Sequence, residues 1–302
     1  MINVRKSASA SREARLLGVA ACLIVAVAQA QTAPSSPQDF RVNGVAVGSG
    51  TEPLLPDWPG PTNTGVPAGT ALTASGSVTT TRDGQVIDRL DIRGTLTINH
   101  NNVRVTRTRI RGSGYPFVQI AEGRTGVVFS DCEIDGMSSG AEVWGPASFY
   151  RCNIHYVVGI VAMTTSVFQD NWVHDIRGVG ADPHTEVFRL QGGQDNNVFR
   201  HNTLDMTNSN GGTAVVFMNA YYGPIRNQVF DNNRMLGGVA YGYTVYSTSD
   251  PNGYATTGTV FTNNLMQQGF AGYVYPAGSP WFTAILTWSN NRDVSTGAQI
   301  AL

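Results

Sequence analysis

Four phrases recur in one frame: Phe168-Gln-Asp-Asn171-Trp-Val173, Phe199-Arg-His-Asn202-Thr-Leu204, Phe230-Asp-Asn-Asn233-Arg-Met235 and Phe261-Thr-Asn-Asn264-Leu-Met266. Each phenylalanine lies 31 residues after the one before it. A fixed period of this length is the mark of a solenoid, in which one short structural unit stacks on its neighbours. Shorter copies precede the series at Ile87/Leu90/Ile92, Val105/Thr108/Ile110, Phe129/Cys132/Ile134 and Phe149/Cys152/Ile154, and a degenerate one follows at Trp288/Asn291. The step varies from 18 to 31 residues while the strand-like core stays constant. That combination predicts an all-β, right-handed single-stranded parallel β-helix of about eight to nine coils, its variable inserts looping outward. An asparagine three residues after each phenylalanine predicts a ladder of side-chain amides bonded from coil to coil.

The first 30 residues read as an export signal. Arg5, Lys6, Arg12 and Arg15 precede an apolar run from Leu16 to Ala28, and Ala28-Gln29-Ala30 is a small-x-small cleavage site. Val19-Ala-Ala-Cys22 resembles a lipoprotein box, but the apolar run continues past the cysteine. Residues 31–58, rich in Pro, Gly, Ser and Ala, read as a linker or arm. Residues 59–302 read as one β-helix domain. A secreted or periplasmic monomer that neither enters the membrane nor binds nucleic acid is expected, because no later apolar run reaches about 18 residues and no basic stripe is present. The formal net charge is −1. Lys6 is the only lysine, so arginine or histidine must supply any cationic chemistry after export. Cys132 and Cys152 fall on the ladder position of adjacent coils, where either a disulfide or two buried thiols would fit.

The longest inserts run from His174 to Glu186, Asp205 to Gly212 and Gly237 to Tyr243. Long loops on a regular scaffold concentrate binding and catalysis. The strands after them alternate. Burying Phe188 and Leu190 turns Arg189 and Gln191 outward, and burying Val216 and Met218 does the same for Phe217 and Asn219. Burying Thr244 and Tyr246 turns Val245 and Ser247 outward. The expected outer face carries Arg189 beside a Gln191–Asn219–Ser247 row. Tyr221, Tyr222, Tyr241 and Tyr243 stand at its margins, and Asp182, His184 and Glu186 on its rim.

Two enzymatic chemistries fit this set. In β-elimination from a uronic acid, Arg189 or Gln191 and Asn219 neutralise the substrate carboxylate. His184 or Arg189 then removes the C5 proton, and Tyr222 or Tyr243 protonates the departing oxygen. In hydrolysis, Asp182 and Glu186 flank the scissile bond, with Asp175 and Asp205 as further carboxylates. Alternatively, the long face binds an acidic polysaccharide without cleaving it. A carboxylate loop of this kind also suits Ca²⁺, although no ligand-loop signature stands out.

Several stretches resemble a known group. The opening Pro59-Gly60-Pro-Thr-Asn63-Thr-Gly65-Val-Pro67-Ala-Gly69-Thr70 is similar to that of bacterial secreted right-handed β-helix proteins of the pectate-lyase-like superfamily. So are Asp182-Pro-His184-Thr-Glu186 leading into Phe-Arg-Leu-Gln-Gly-Gly193, then Gly223-Pro224, Asn232-Asn233 and the closing Trp288-Ser-Asn-Asn291-Arg-Asp293. The resemblance spans nearly all of residues 58–300 and implies a polysaccharide lyase acting on a polyuronate such as alginate. Members of the group also include glycoside hydrolases. The relatives' loop resembles His-x-Asp-Gly-Ile-Gln, against which Glu186, Val187 and Arg189 stand at the Asp, the Gly and the Gln. Lyases of this fold use a lysine or arginine base, and the resemblance gives that role to Arg189. The Asn-Thr-Asp, Asp-Asp and Gly-His-Gly motifs of β-helix polygalacturonases are missing.

Overall fold

The computed structural model describes residues 41–42, 45–46, 53–137, 141–180, 183–249, 253–275 and 285–302, all within the unit Ala33–Leu302. The export signal expected over residues 1–30, most of the expected arm and Asp182 lie outside the described residues. Three parallel sheets run through the molecule, of nine, nine and ten strands, and the coils are right-handed. Each coil contributes one strand to each sheet, so the solenoid has nine to ten coils where the repeat count predicts eight to nine.

One sheet holds the phenylalanines of the repeat, from Val86–Asp88 to Ile285–Ser289. Its strands are mostly three residues long, and the middle residue points inward. The rings of Phe129, Phe149, Phe168, Phe199, Phe230 and Phe261 stack with centroids 4.4–5.3 Å apart, close to the spacing of neighbouring strands. A second sheet, from Thr73–Ser75 to Arg292–Asp293, lines the core with Ile92, Ile110, Ile134, Ile154, Val173, Leu204, Met235 and Met266.

The corner between these sheets repeats with little change. Arg89, Arg107, Asp131, Arg151, Asp170, His201, Asn232, Asn263 and Asn290 all have φ between 44° and 59°, in the left-handed region. Asn and Asp tolerate that region better than most side chains, and five of these nine corners carry one of them. The next residue turns into the core and occupies the ladder position. Asn202 Oδ1 accepts from both Nδ2 and the backbone N–H of Asn171, each at 2.9 Å. Its own Nδ2 donates to Asn233 Oδ1 and to the Phe168 carbonyl, again at 2.9 Å. Asn233, Asn264 and Asn291 continue the pattern. These buried amides therefore stabilise the stack without stranding a polar group.

Upstream, Thr108, Cys132 and Cys152 take the same slot. Both cysteines are free, buried thiols. Cys132 Sγ donates to the carbonyls of Ser130 and Val105, and Cys152 Sγ to that of Tyr150. Burial, then the neighbouring Cys132, push the Cys152 thiol well above its ordinary range, which leaves it unreactive.

The third sheet has the longest strands, among them Ala141–Gly145, Val157–Ala162, Thr185–Leu190, Gly212–Asn219 and Tyr241–Thr248. The expected phase holds through Gly212–Asn219 and fails in Tyr241–Thr248. Register pairs Phe217 with Tyr246, Met218 with Ser247 and Asn219 with Thr248. Tyr246 therefore faces outward, while Val245 and Ser247 are buried. The outer polar row is Gln191–Asn219; Thr248, which follows in register, is itself buried, and Ser247 is not part of the row. Tyr241 is also in the core, fully buried, with its hydroxyl donating to the Gln267 carbonyl. Pairing in register with the buried Val216 and Met218 turns Val245 and Ser247 inward, which sets Tyr246 on Phe217 and reverses the apparent alternation.

Two outcomes are expected. Asn233→Leu strands the donors of Asn202 and the Asn264 acceptor, and should lower stability by about 3–5 kcal/mol; an unchanged thermal midpoint would count against the ladder. Without reductant, a thiol reagent should label Cys132 and Cys152 only after unfolding. Failure to label either one in the unfolded chain would indicate a disulfide.

Candidate active site

The long-strand sheet and the loop preceding Thr185–Leu190 form two walls of a cavity of about 430 Å³. The loop folds tightly on itself: a Cβ on Gly178 would lie 2.3 Å from Pro183 Cβ, so only glycine fits. Gly178, Val179, Pro183 and His184 make the loop wall. Glu186, Arg189, Gln191, Thr213 and Phe217 make the strand wall, and Tyr115 and Val158 close the upstream end.

Arg189 is the hub. Its Nε donates to Glu186 Oε2 at 2.9 Å, and Nη2 approaches the same oxygen at 2.7 Å. Nη2 also donates to the His184 carbonyl at 3.3 Å. Nη1 reaches upstream to the Tyr115 hydroxyl at 3.2 Å and to Glu142 Oε1 at 3.4 Å. A guanidinium has five N–H donors, and four of them make these hydrogen bonds, while Nη2 adds a close ion-pair contact to Glu186. The Glu142 side chain is 1 % exposed, that of Glu186 4 % and that of Arg189 13 %. Glu142 pairs in register with Gly159 on the intervening strand, so no side chain stands at that position between the two carboxylates. A Cβ on Gly159 would lie 2.8 Å from the Glu186 carbonyl oxygen.

These environments separate the titrating groups. Burial pushes the Glu142 carboxyl above its ordinary 4.5, as does the Glu186 charge, while Arg189 and the Tyr115 hydroxyl oppose the rise. Burial, then Glu142, raise the Tyr115 phenol. Burial alone would lower the Arg189 pKa, but Glu186 and Glu142 outweigh it and the net shift is upward. A guanidinium held this firmly in its charged form makes a poor general base.

Of the residues singled out in the sequence, His184, Glu186, Arg189 and Gln191 come together in this cavity. His184 stands at the exposed rim, with its ring nitrogen Nδ1 3.2 Å from Thr213 Oγ1. Asn219 lies one coil beyond Gln191. The side-chain amides of both residues bond to no described residue. Tyr221 and Tyr222 form an exposed edge-to-face pair in the turn after Asn219. Tyr243 packs one coil beyond Phe217 against Tyr246 and Tyr275. None of these three tyrosines lines the cavity. Asp175 and Asp205 lie apart, in a pocket of about 220 Å³ with Trp172 and His174. Glu142 and Tyr115, absent from the sequence reading, are the strongest additions.

Another cavity, of about 460 Å³, opens at turns that include Glu122–Val128 and Pro146–Ser148, but its only charged lining residues are Glu122 and Arg124. Among the described residues no group of three or more His, Cys, Asp or Glu is placed to hold a metal ion. No helix among them is long and apolar enough to cross a membrane.

Residues 94–274 match the family model described as the right handed beta helix region. No curated protein and no solved structure matches the chain.

Replacing Arg189 with methionine would leave two buried carboxylates facing each other without a cation. A loss of about 3 kcal/mol is expected, contrary to the small effect expected of an outward, solvated arginine. Without the guanidinium, which opposes the upward push of burial on Glu142, that carboxyl favours its protonated form still more in the fold. The loss should therefore grow as pH rises above the ordinary carboxyl value and shrink below it, and adding Glu142→Gln should recover part of it. Denaturant unfolding across pH tests this; a flat, small loss would remove Arg189 from the centre of the network.

Proposed function

Because this chain belongs to the right-handed beta helix family, a scaffold compatible with carbohydrate-acting enzymes and with binding proteins, we propose that it is a glycoside hydrolase cleaving a polysaccharide laid in the Arg189 cleft. The observation carrying this reading is the pair of buried carboxyls held by one guanidinium, one of them pushed toward its protonated form. Glycosidic hydrolysis needs one carboxyl to deliver a proton and another to act as a base or nucleophile.

Glu142 holds the proton. The Tyr115 hydroxyl, hydrogen-bonded to Glu142 and Arg189, lies between Glu142 and the cavity. As that hydroxyl protonates the departing glycosidic oxygen, Glu142 passes its proton to the Tyr115 oxygen. Glu186 Oε2 is tied to Arg189, while Oε1 bonds to no described residue and takes the proton of the attacking water. Arg189 acts as a positioning residue, fixing both carboxyls. The export signal read over residues 1–30 would deliver the enzyme to a substrate outside the cytoplasm.

Elimination from a polyuronate such as alginate has one observation in its favour: the unengaged Gln191 amide shares the cavity with His184 and Tyr115. It would also need a cation free for the substrate carboxylate, and Arg189, the only Arg or Lys among the described residues lining the cavity, is already paired with Glu186 and Glu142.

Purified protein incubated with a polysaccharide panel should release reducing ends without the near-ultraviolet absorbance of an unsaturated product. Glu186→Gln should lower kcat by about 10²–10⁴-fold. Tyr115→Phe and Glu142→Gln should each cost less, and together no more than the worse of the two, as members of one relay. Unsaturated products, or full activity in Glu186→Gln, would overturn the hydrolase.

A further inference from the structure

Phe217 and Tyr246 stack on the outer face of the long-strand sheet, with ring centroids 4.9 Å apart and planes within 18°. Tyr275 continues the row, 4.4 Å from Tyr246. In such a stack each inner ring has both faces covered and offers solvent only an edge. Phe217 is the end ring. One face rests on Tyr246, and the other side opens on the cavity that Phe217 itself helps to line. Arg189 pairs with Phe217 in register but sends its guanidinium upstream, toward Glu142 and Tyr115, and so leaves that side clear.

Resting on the hydrolase reading above, we propose that Phe217, buttressed by Tyr246, is the platform on which one sugar ring of the substrate stacks beside the cleavage site, and that the polymer is neutral. The flat apolar face of a sugar ring matches an aromatic face backed by a second ring. Beside the platform, the free amides of Gln191 and Asn219 present donors and acceptors suited to hydroxyl groups. The charge balance selects against uronates. Arg189 is the only Arg or Lys among the described residues lining the cavity; the Glu186 carboxylate already matches its charge, and the Glu142 carboxyl holds its Nη1. A polyanion entering the cleft would meet acidic groups without an unmatched cation in return.

Affinity electrophoresis in gels containing xylan, mannan, a β-glucan, alginate or polygalacturonate tests this, with Glu186→Gln as the parent protein so that the polymer survives. The parent should be retarded by at least one neutral polymer, with little effect of salt. Phe217→Leu, which keeps apolar bulk but loses the ring face, should weaken that binding at least about tenfold, and Phe217→Trp should retain it. Circular dichroism confirms that each variant is folded, and Tyr246→Leu, expected to weaken binding as well, serves if Phe217→Leu is not. Retardation only by alginate or polygalacturonate, no retardation by any polymer, or unaltered binding in Phe217→Leu and Tyr246→Leu would each overturn the proposal. Cleavage by the wild type with binding indifferent to Phe217 would leave the hydrolase standing and remove the platform. Binding of a neutral polymer that depends on Phe217, with no cleavage, would do the reverse.

Discussion

Everything in this molecule depends on keeping successive coils in register, and the left-handed corner with its inward-turned amide does most of that. A coil of three short strands has little sequence-local structure to define it. The corner supplies a fixed turn, a carbonyl to receive the ladder amide and a backbone N–H that donates to the next coil. Phenylalanine stacking then fills the space inside each coil at the same spacing. Because the amide network is satisfied along its length, stranding one member costs more than an average hydrogen bond contributes.

That regularity also explains the form of the candidate site. A solenoid has no natural pocket, so the cleft is made by departures from the repeat. The loop before Thr185–Leu190 is held close by Gly178 against Pro183, and Gly159 leaves out a side chain between two carboxylates. Arg189 holds Glu186 on its own strand and reaches two coils upstream to Glu142. The arginine could be expected at a substrate's carboxylate, but its geometry makes it part of the protein's internal electrostatics. Its charge is already matched before any ligand arrives.

Much of the fold was legible in the sequence because the repeat is literal: phenylalanine and asparagine at constant separation cannot be accommodated by many architectures. The phase of Gly212–Asn219 was legible too, since Val216 and Met218 are unambiguous core residues. Tyr241–Thr248 was not. Its Thr, Val, Tyr and Ser have no clear inside preference, and the register with a different coil, which sets Tyr246 on Phe217, decided the matter. His184, Glu186, Arg189 and Gln191 were accessible to reading because they sit on one strand and its approach. Glu142 and Tyr115 were not, being 47 and 74 residues away from the arginine they contact, with no local pattern to point to them.

The change of ladder residue has a mechanical consequence. From Asn171 onward each rung is tied to the next by side-chain amides, and the Cys152 backbone N–H still donates to Asn171 Oδ1, whereas the Cys132 thiol bonds to the carbonyls of Val105 and Ser130. The side-chain amide ladder thus ends on the Cys152 coil, which Asn171 still grips through the Cys152 N–H and the Phe149 carbonyl. Glu142 lies on the coil where the ladder ends and Glu186 two coils further on, so the cleft spans that change. Arg189, bonded to both carboxyls, is the cross-tie that spans it.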